Sequence, residues 1–163
     1  MGEYITKVVM LGDPAVGKTS LVRRFVDDMF DDKYISTVGA KPSKKVVEIN
    51  KDNITLMIWD IAGHSLVPLH PGYYAGAKGA LIVCDLTRRQ TLNAVTWWHS
   101  LLHKWAGDIP TKILANKADL DDWEFELDDI KHENMKPQLT SAKSGENVED
   151  AFHELAEMVV YGR

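Results

Sequence analysis

The chain is expected to fold as an α/β domain with an open, mostly parallel sheet covered on both faces. Three observations predict this. Continuous apolar, β-branched runs recur at 5–11, 80–85 and 111–116, each ending at a turn or charged residue; such short runs are strands buried on both faces. Segments with a helical apolar period lie between them, as crossovers between parallel strands require. The length of 163 residues, with 45% apolar and 26% charged content, fits one domain over 1–163 with a sizeable core.

The elements follow in order. Strand 5–11 runs through a glycine-bearing stretch into a helix over 19–28. Segments 44–50 and 53–60 flank Lys51 and Asp52, and the first alternates Val47 and Ile49 with Glu48 and Asn50. Together they predict a hairpin at a sheet edge, so one strand runs antiparallel to the rest. In 90–106, Leu92, Val95, Trp98, Leu101, Leu102 and Trp105 recur at a period near 3.6. Trp98 and Trp105 fall on its core face and Trp97 outside it. The acidic stretch 119–126 reads as a solvated loop and helix start, too unpatterned for a calcium loop. The last helix, 146–160, places Val148, Phe152, Leu155, Ala156 and Val159 on one face, with Ser144 and Gly145 leading into it.

Composition excludes several classes. A formal net charge of −5 argues against general attraction to nucleic acid or membrane. Cys84 is the only cysteine and sits in an apolar run, so it reads as a small core residue in a reducing compartment. No apolar stretch reaches the ~20 residues of a membrane span. Gly2 and Thr6 fit a myristoylation pattern, but Tyr4 to Leu11 already read as a core strand. The end of the chain offers no cysteine to prenylate. The chain is therefore expected to be cytoplasmic, without its own lipid anchor. His99 and His103 have metal-binding spacing but no evident third ligand, and Arg88 and Arg89 open the same helix; all four read as surface residues.

Ligands in such sheets bind at the carboxyl ends of the strands. GDPAVGKT at 12–19 lies there, between a strand and a helix, and matches G-x-x-x-x-G-K-[ST]. In this context, successive backbone N–H groups surround phosphate oxygens at the positive end of the helix. Gly17 admits close approach, Lys18 reaches the β- and γ-phosphates, and the Thr19 hydroxyl can ligate Mg²⁺. NKAD at 116–119 follows another strand. Asp119 can accept from the N1–H and exocyclic amine of guanine together, a donor pair adenine lacks. Asn116 would lock neighbouring loops, and the Lys117 stem would lie along the base. TSAK at 140–143 precedes the last helix, where a backbone N–H can meet the guanine carbonyl.

With these motifs in hand, the chain resembles a Ras-superfamily small GTPase over essentially its whole length. GDPAVGKT, YISTVG, WDIAG, NKAD and TSAK match in order, and the tryptophan of IWDIAG and YYAGA at 73–77 look most like the Rab branch. The resemblance implies a P-loop NTPase three-layer sandwich with six strands and about five helices. It implies GTP/GDP switching with Mg²⁺, and effector, activator and exchange-factor partners for a monomeric chain. Asp13, Ala15, Val16, Gly17, Lys18, Thr19, Ser20, Phe30, Tyr34, Thr37, Gly63, Asn116, Lys117, Asp119, Ser141, Ala142 and Lys143 would contact nucleotide. Phe30 would pack edge-on against guanine. Thr19, Thr37 and Asp60 would hold Mg²⁺, Asp60 through a water. The Gly63 amide would bond the γ-phosphate, and loss of that phosphate would free both switch segments. Catalysis would fall to His64, Lys18, Thr37 and Gly63.

The sequence departs from the family pattern in four places. Pro14 replaces a small residue, fixing φ and removing one N–H donor, and Ala15 follows where glycine is common. Val38 to Pro42 replace an apolar and aromatic run, so Rab-type effectors do not carry over. His64 stands where glutamine aligns the attacking water. Neutral imidazole can orient water, protonated imidazole cannot accept from it, and a triphosphate favours protonation. Slow hydrolysis that rises with pH through the His64 titration is expected. The cysteine-ended tail is the fourth departure. Two rival readings remain at this stage: a GTP-loaded interaction module, and an enzyme transferring phosphoryl to a metabolite.

Overall fold

The computed structural model describes residues 1–31, 39–63 and 70–162. In chain order they form β1 (Glu3–Leu11), α1 (Lys18–Asp27), β2 (Ala40–Ile49), β3 (Asp52–Ile61), β4 (Ala77–Asp85), α2 (Arg89–Asn93), α3 (Val95–Ala106), β5 (Thr111–Asn116), β6 (Gln138–Leu139) and α4 (Val148–Tyr161). Single 3₁₀ turns occupy Pro71–Tyr73, Leu127–Asp129 and Glu133–Met135. One six-stranded sheet has the order β2-β3-β1-β4-β5-β6. Only the β2–β3 pairing is antiparallel among the described strands.

The central strands explain the three-layer build. Along β1, Val8 and Met10 face one core, while Val9 and Leu11 face the other. Along β4, Leu81 and Val83 join the first core, and Ala80, Ile82 and Cys84 join the second. Alternation with apolar residues on both faces demands a helical cover on each side. Phe25 of α1 stacks on Phe152 of α4 at 4.1 Å between ring centroids, on the first face. Val95, Trp98 and Leu102 of α3 cover the second. Trp98 is buried and Trp97 exposed, as their helical positions predict.

The hairpin differs from expectation by one residue. Ile49 pairs with Asp52, so Asn50 and Lys51 form the turn, at φ 53° and 69°. Positive φ at both central positions is the requirement of the primed two-residue turn that matches strand twist. Pro42 lies within β2, where an edge strand tolerates a missing N–H.

Two helical expectations are corrected. The predicted helix 90–106 is two helices meeting at Ala94, whose N–H is shared between the Gln90 and Leu92 carbonyls. The acidic stretch after β5 does not open a helix. Trp123, Phe125 and Leu127 alternate in sequence instead of forming a helical stripe, and the chain there makes only 3₁₀ turns. Phe125, Ile130 and Met135 bury into the second core from this irregular segment. The described residues therefore carry four α-helices where about five were expected.

Candidate nucleotide site

The loops leaving β1, β3 and β5 meet at one end of the sheet. After β1 the chain turns through Gly12, Ala15 and Gly17, all at positive φ (142°, 64° and 104°). A Cβ at Gly17 would lie 2.3 Å from Asn116 Nδ2, so a larger residue there would push the two loops apart. Ala15 holds a left-handed conformation that costs an L-residue roughly 1–2 kcal/mol. The loop needs outside support, and the side chains supply it. Lys18 Nζ donates to the carbonyls of Gly12 (2.7 Å) and Asp13 (2.9 Å). Trp98 Nε1 donates to Asp13 Oδ1 at 3.0 Å, and Asn116 Nδ2 donates to the Val16 carbonyl at 3.0 Å. Ser20 lies in the first turn of α1.

Electrostatics concentrate on Lys18, which is buried. Burial pushes its ammonium down to about 8, against the pull of the Asp60 and Asp13 carboxylates, while the Arg88 guanidinium adds to the lowering. Asp60, at the end of β3, is itself buried and accepts from the Thr19 hydroxyl. A hydroxyl meeting a buried carboxylate beside a phosphate-loop lysine is an oxygen donor set. It fits Mg²⁺, which takes one or two carboxylates and completes its shell with water and phosphate oxygens. Gly63 backs onto the same loop: a Cβ there would lie 2.4 Å from the Gly12 carbonyl oxygen.

The other end of the site centres on the Asn116 carboxamide. Asn116 Oδ1 accepts from the Thr140 hydroxyl (3.2 Å) and the Ala142 N–H (3.3 Å). Asp119 is exposed and accepts from the Ser141 hydroxyl at 2.7 Å. Lys117 sits at φ 71°, and its ammonium pairs with Asp85 at 2.8 Å. Burial alone would raise the Asp85 carboxyl, but the bonds from Lys117 and Thr87 outweigh it and hold it below the usual range. Phe30 is half-buried against the first core.

Of the residues singled out from sequence, Tyr34, Thr37 and His64 lie outside the described residues. The others gather at this end of the sheet or on the elements bordering it. Three residues were missed. Arg24 of α1 donates to the carbonyls of Ala142 (2.8 Å) and Lys143 (2.6 Å), fixing TSAK from across the site. Asp85 orders Lys117 and Arg88, and Trp98 reaches Asp13. Asp85 ends the predicted strand 80–85 at the same level as Asn116, its register partner; that position is the one sequence signal for it. Arg88, read as a surface residue, instead donates to the Pro14 carbonyl of the phosphate loop at 2.8 Å. His99 is half-buried and His103 exposed on α3.

Residues 7–161 match the Ras family model. The GTP-binding protein YPT1 of Saccharomyces cerevisiae is 36% identical over 164 residues, covering 96% of this chain and 80% of that protein. The Ras-related protein RABD2a of Arabidopsis thaliana is 37% identical, covering 92% and 77%. The human Ras-related protein Rab-8B is 35% identical, covering 94% and 78%. A sheet with one antiparallel edge, a phosphate loop between β1 and α1, and Asn116 tying that loop to two others agree with this likeness, and the chain belongs to the Ras superfamily of small GTPases, in its Rab branch.

Proposed function

We propose that the chain, as one guanine-nucleotide domain over 1–163, is a molecular switch that binds GTP and GDP with Mg²⁺. It hydrolyses GTP to GDP and phosphate, slowly without an activator. One observation carries the reading: the Asn116 carboxamide bonds the phosphate loop through Val16 and the TSAK loop through Thr140 and Ala142. A phosphate cradle and a base pocket joined by one side chain suit a ligand that has both a base and a phosphate chain.

In this mechanism the amides of residues 15–19 and the Lys18 ammonium bind the phosphates at the start of α1. Lys18 already has its positive charge aimed at the loop by two carbonyls, so no reorganisation precedes charge development. Thr19, Asp60 and Thr37 would hold Mg²⁺, which when bound neutralises charge developing on the phosphate oxygens. The Gly63 amide binds the γ-phosphate, and His64 orients the water. Asp119 selects guanine. Its exposed carboxylate becomes covered by the base, and only guanine then pairs it fully; adenine leaves it desolvated and unpaired. Effector, activator and exchange-factor proteins would read the segments that change with the γ-phosphate.

The test is the nucleotide that accompanies the purified protein, identified by chromatography, followed by competition between GTP and ATP. Guanine nucleotide is expected, with ATP unable to displace GDP at similar concentration. Displacement by ATP would remove the guanine reading. Multiple-turnover hydrolysis then separates a slow switch from a chain that remains GTP-loaded.

A further inference from the structure

Arg88 stands at the start of α2 and reaches two groups. Its Nη2 donates to the Pro14 carbonyl at 2.8 Å, and its Nε donates to Asp85 Oδ2 at 3.1 Å. Asp85 is a rigid anchor. Its side chain is 1% exposed, the same oxygen accepts from Lys117 Nζ at 2.8 Å, and Oδ1 accepts the Thr87 N–H (2.9 Å) and hydroxyl (2.7 Å). The guanidinium is therefore held in place before it grips the loop.

What it grips is the peptide between Pro14 and Ala15. That peptide is trans, as are all those described. In a planar trans peptide the C=O and the following N–H point in opposite directions. Fixing the Pro14 carbonyl therefore fixes the direction of the Ala15 N–H. This amide matters more here than in a loop with a small residue at position 14, because Pro14 has no N–H and the row of available donors begins at Ala15. Ala15 also sits at φ +64°, against the preference of an L-residue. A flip of the Pro14–Ala15 peptide would return Ala15 to negative φ and relieve that strain. The flip would also break the charge-assisted bond from Arg88 and turn the Ala15 amide away from the cradle.

We propose that Arg88 is a positioning residue of the phosphate site: its guanidinium, anchored on Asp85, holds the Pro14–Ala15 peptide in the orientation that presents the Ala15 N–H to the β-phosphate of a nucleoside diphosphate. The inference rests on the nucleotide reading above. Through Asp85 it also joins the base loop, by Lys117, to the phosphate loop.

Dissociation constants for GDP, GMP and ATP, measured on the wild type, Arg88→Ala, Arg88→Lys, Ala15→Gly and the Ala15→Gly/Arg88→Ala double variant, test it. Arg88→Ala is expected to weaken GDP about tenfold or more while GMP changes by less than about twofold. Intact GMP binding also reports that the variant is folded. Arg88→Lys is expected to recover little, since a point charge lacks the fork that spans carbonyl and carboxylate. In the double variant, glycine adopts positive φ without strain, so part of the GDP affinity lost in Arg88→Ala should return. Unchanged GDP affinity, equal losses for GDP and GMP, full recovery by lysine, or no recovery in the double variant would each overturn the proposal. If Arg88→Ala does not fold, a selective GDP loss in Arg88→Lys decides in its favour and equal GDP and GMP affinities to wild type decide against it. A wild type that binds ATP as well as GDP would instead sink the nucleotide reading, which separates the two failures.

Discussion

The phosphate end and the base end of the site are held by different physics. At the phosphate end a strained loop is pinned by ions: buried Lys18 on two carbonyls, Asp60 on Thr19, and Arg88 on Pro14. At the base end the neutral Asn116 carboxamide holds the Thr140 hydroxyl and the Ala142 N–H, and the charged contacts, Asp119 on Ser141, Lys117 on Asp85 and Arg24 on the Ala142 and Lys143 carbonyls, surround that centre. The base end is preformed around a side chain that does not titrate. The phosphate end stores backbone strain at Ala15 and a buried ammonium, Lys18, that a bound phosphate stabilises. A switch needs this asymmetry: the base anchors the ligand, while the phosphate end registers which ligand is bound.

The comparison breaks most sharply at Lys18. Lys18→Ala removes a buried cation and leaves two loop carbonyls unpaired, so GDP affinity is expected to fall about a thousandfold or more. Guanosine, which has no phosphate, should lose little, and calorimetry with both ligands checks this. Asn116→Ala is the converse test, because its side chain belongs to both ends. It leaves the Val16 carbonyl, the Thr140 hydroxyl and the Ala142 N–H without this partner, and a loss of about a hundredfold is expected for GDP and guanosine alike. A loss confined to GDP would mean the base end does not depend on it.

A pH titration sharpens the contrast without mutation. Lys18 in the nucleotide-free protein titrates at about 8, and a bound phosphate raises that value. Binding therefore takes up a proton above pH ~8, and GDP affinity should hold between about pH 6 and 7.5, then fall by up to about tenfold per unit. The stability of the nucleotide-free protein moves the other way. Because the folded value lies below the ordinary 10.5, the unfolded chain binds more protons between the two values, and Lys18's contribution to stability rises with pH across that window. Guanosine affinity should stay flat up to the pH at which the guanine N1–H itself ionises. The smallest effect is expected at His64. Single-turnover hydrolysis should rise a few-fold with pH in the wild type, and His64→Ala should abolish the rise. An identical pH profile in that variant would remove His64 from the chemistry.

The strands were legible because a buried strand must be continuously apolar whatever its neighbours are. The phosphate loop was legible because few residue types can bring backbone N–H groups around an anion. Legibility failed where a residue's role depends on a distant partner. Arg88 looked like surface charge since its contact with the phosphate loop, the Pro14 carbonyl, lies 74 residues earlier. Arg24 shows no motif, yet it grips carbonyls 118 and 119 residues later. The segment after β5 misled for another reason. Its acidity suggested a helix start, while its apolar residues plug the second core without helical spacing.

By itself the sequence determined the α/β class, the hairpin that reverses one strand, the phosphate loop and the order of the nucleotide motifs. Each of these follows from local physics: apolar runs, turn residues, and glycines where backbone must approach an anion. Only the tertiary structure decided which loops meet. The strand order β2-β3-β1-β4-β5-β6 sets β1 beside β3 and β4, and β4 beside β5. That arrangement brings Asp60 to Thr19, Asn116 to Val16, and Arg88 to Pro14. Hydrogen bonds between loops depend on register and strand order, which no stretch of sequence specifies alone, and in this protein those bonds turn a list of motifs into one site.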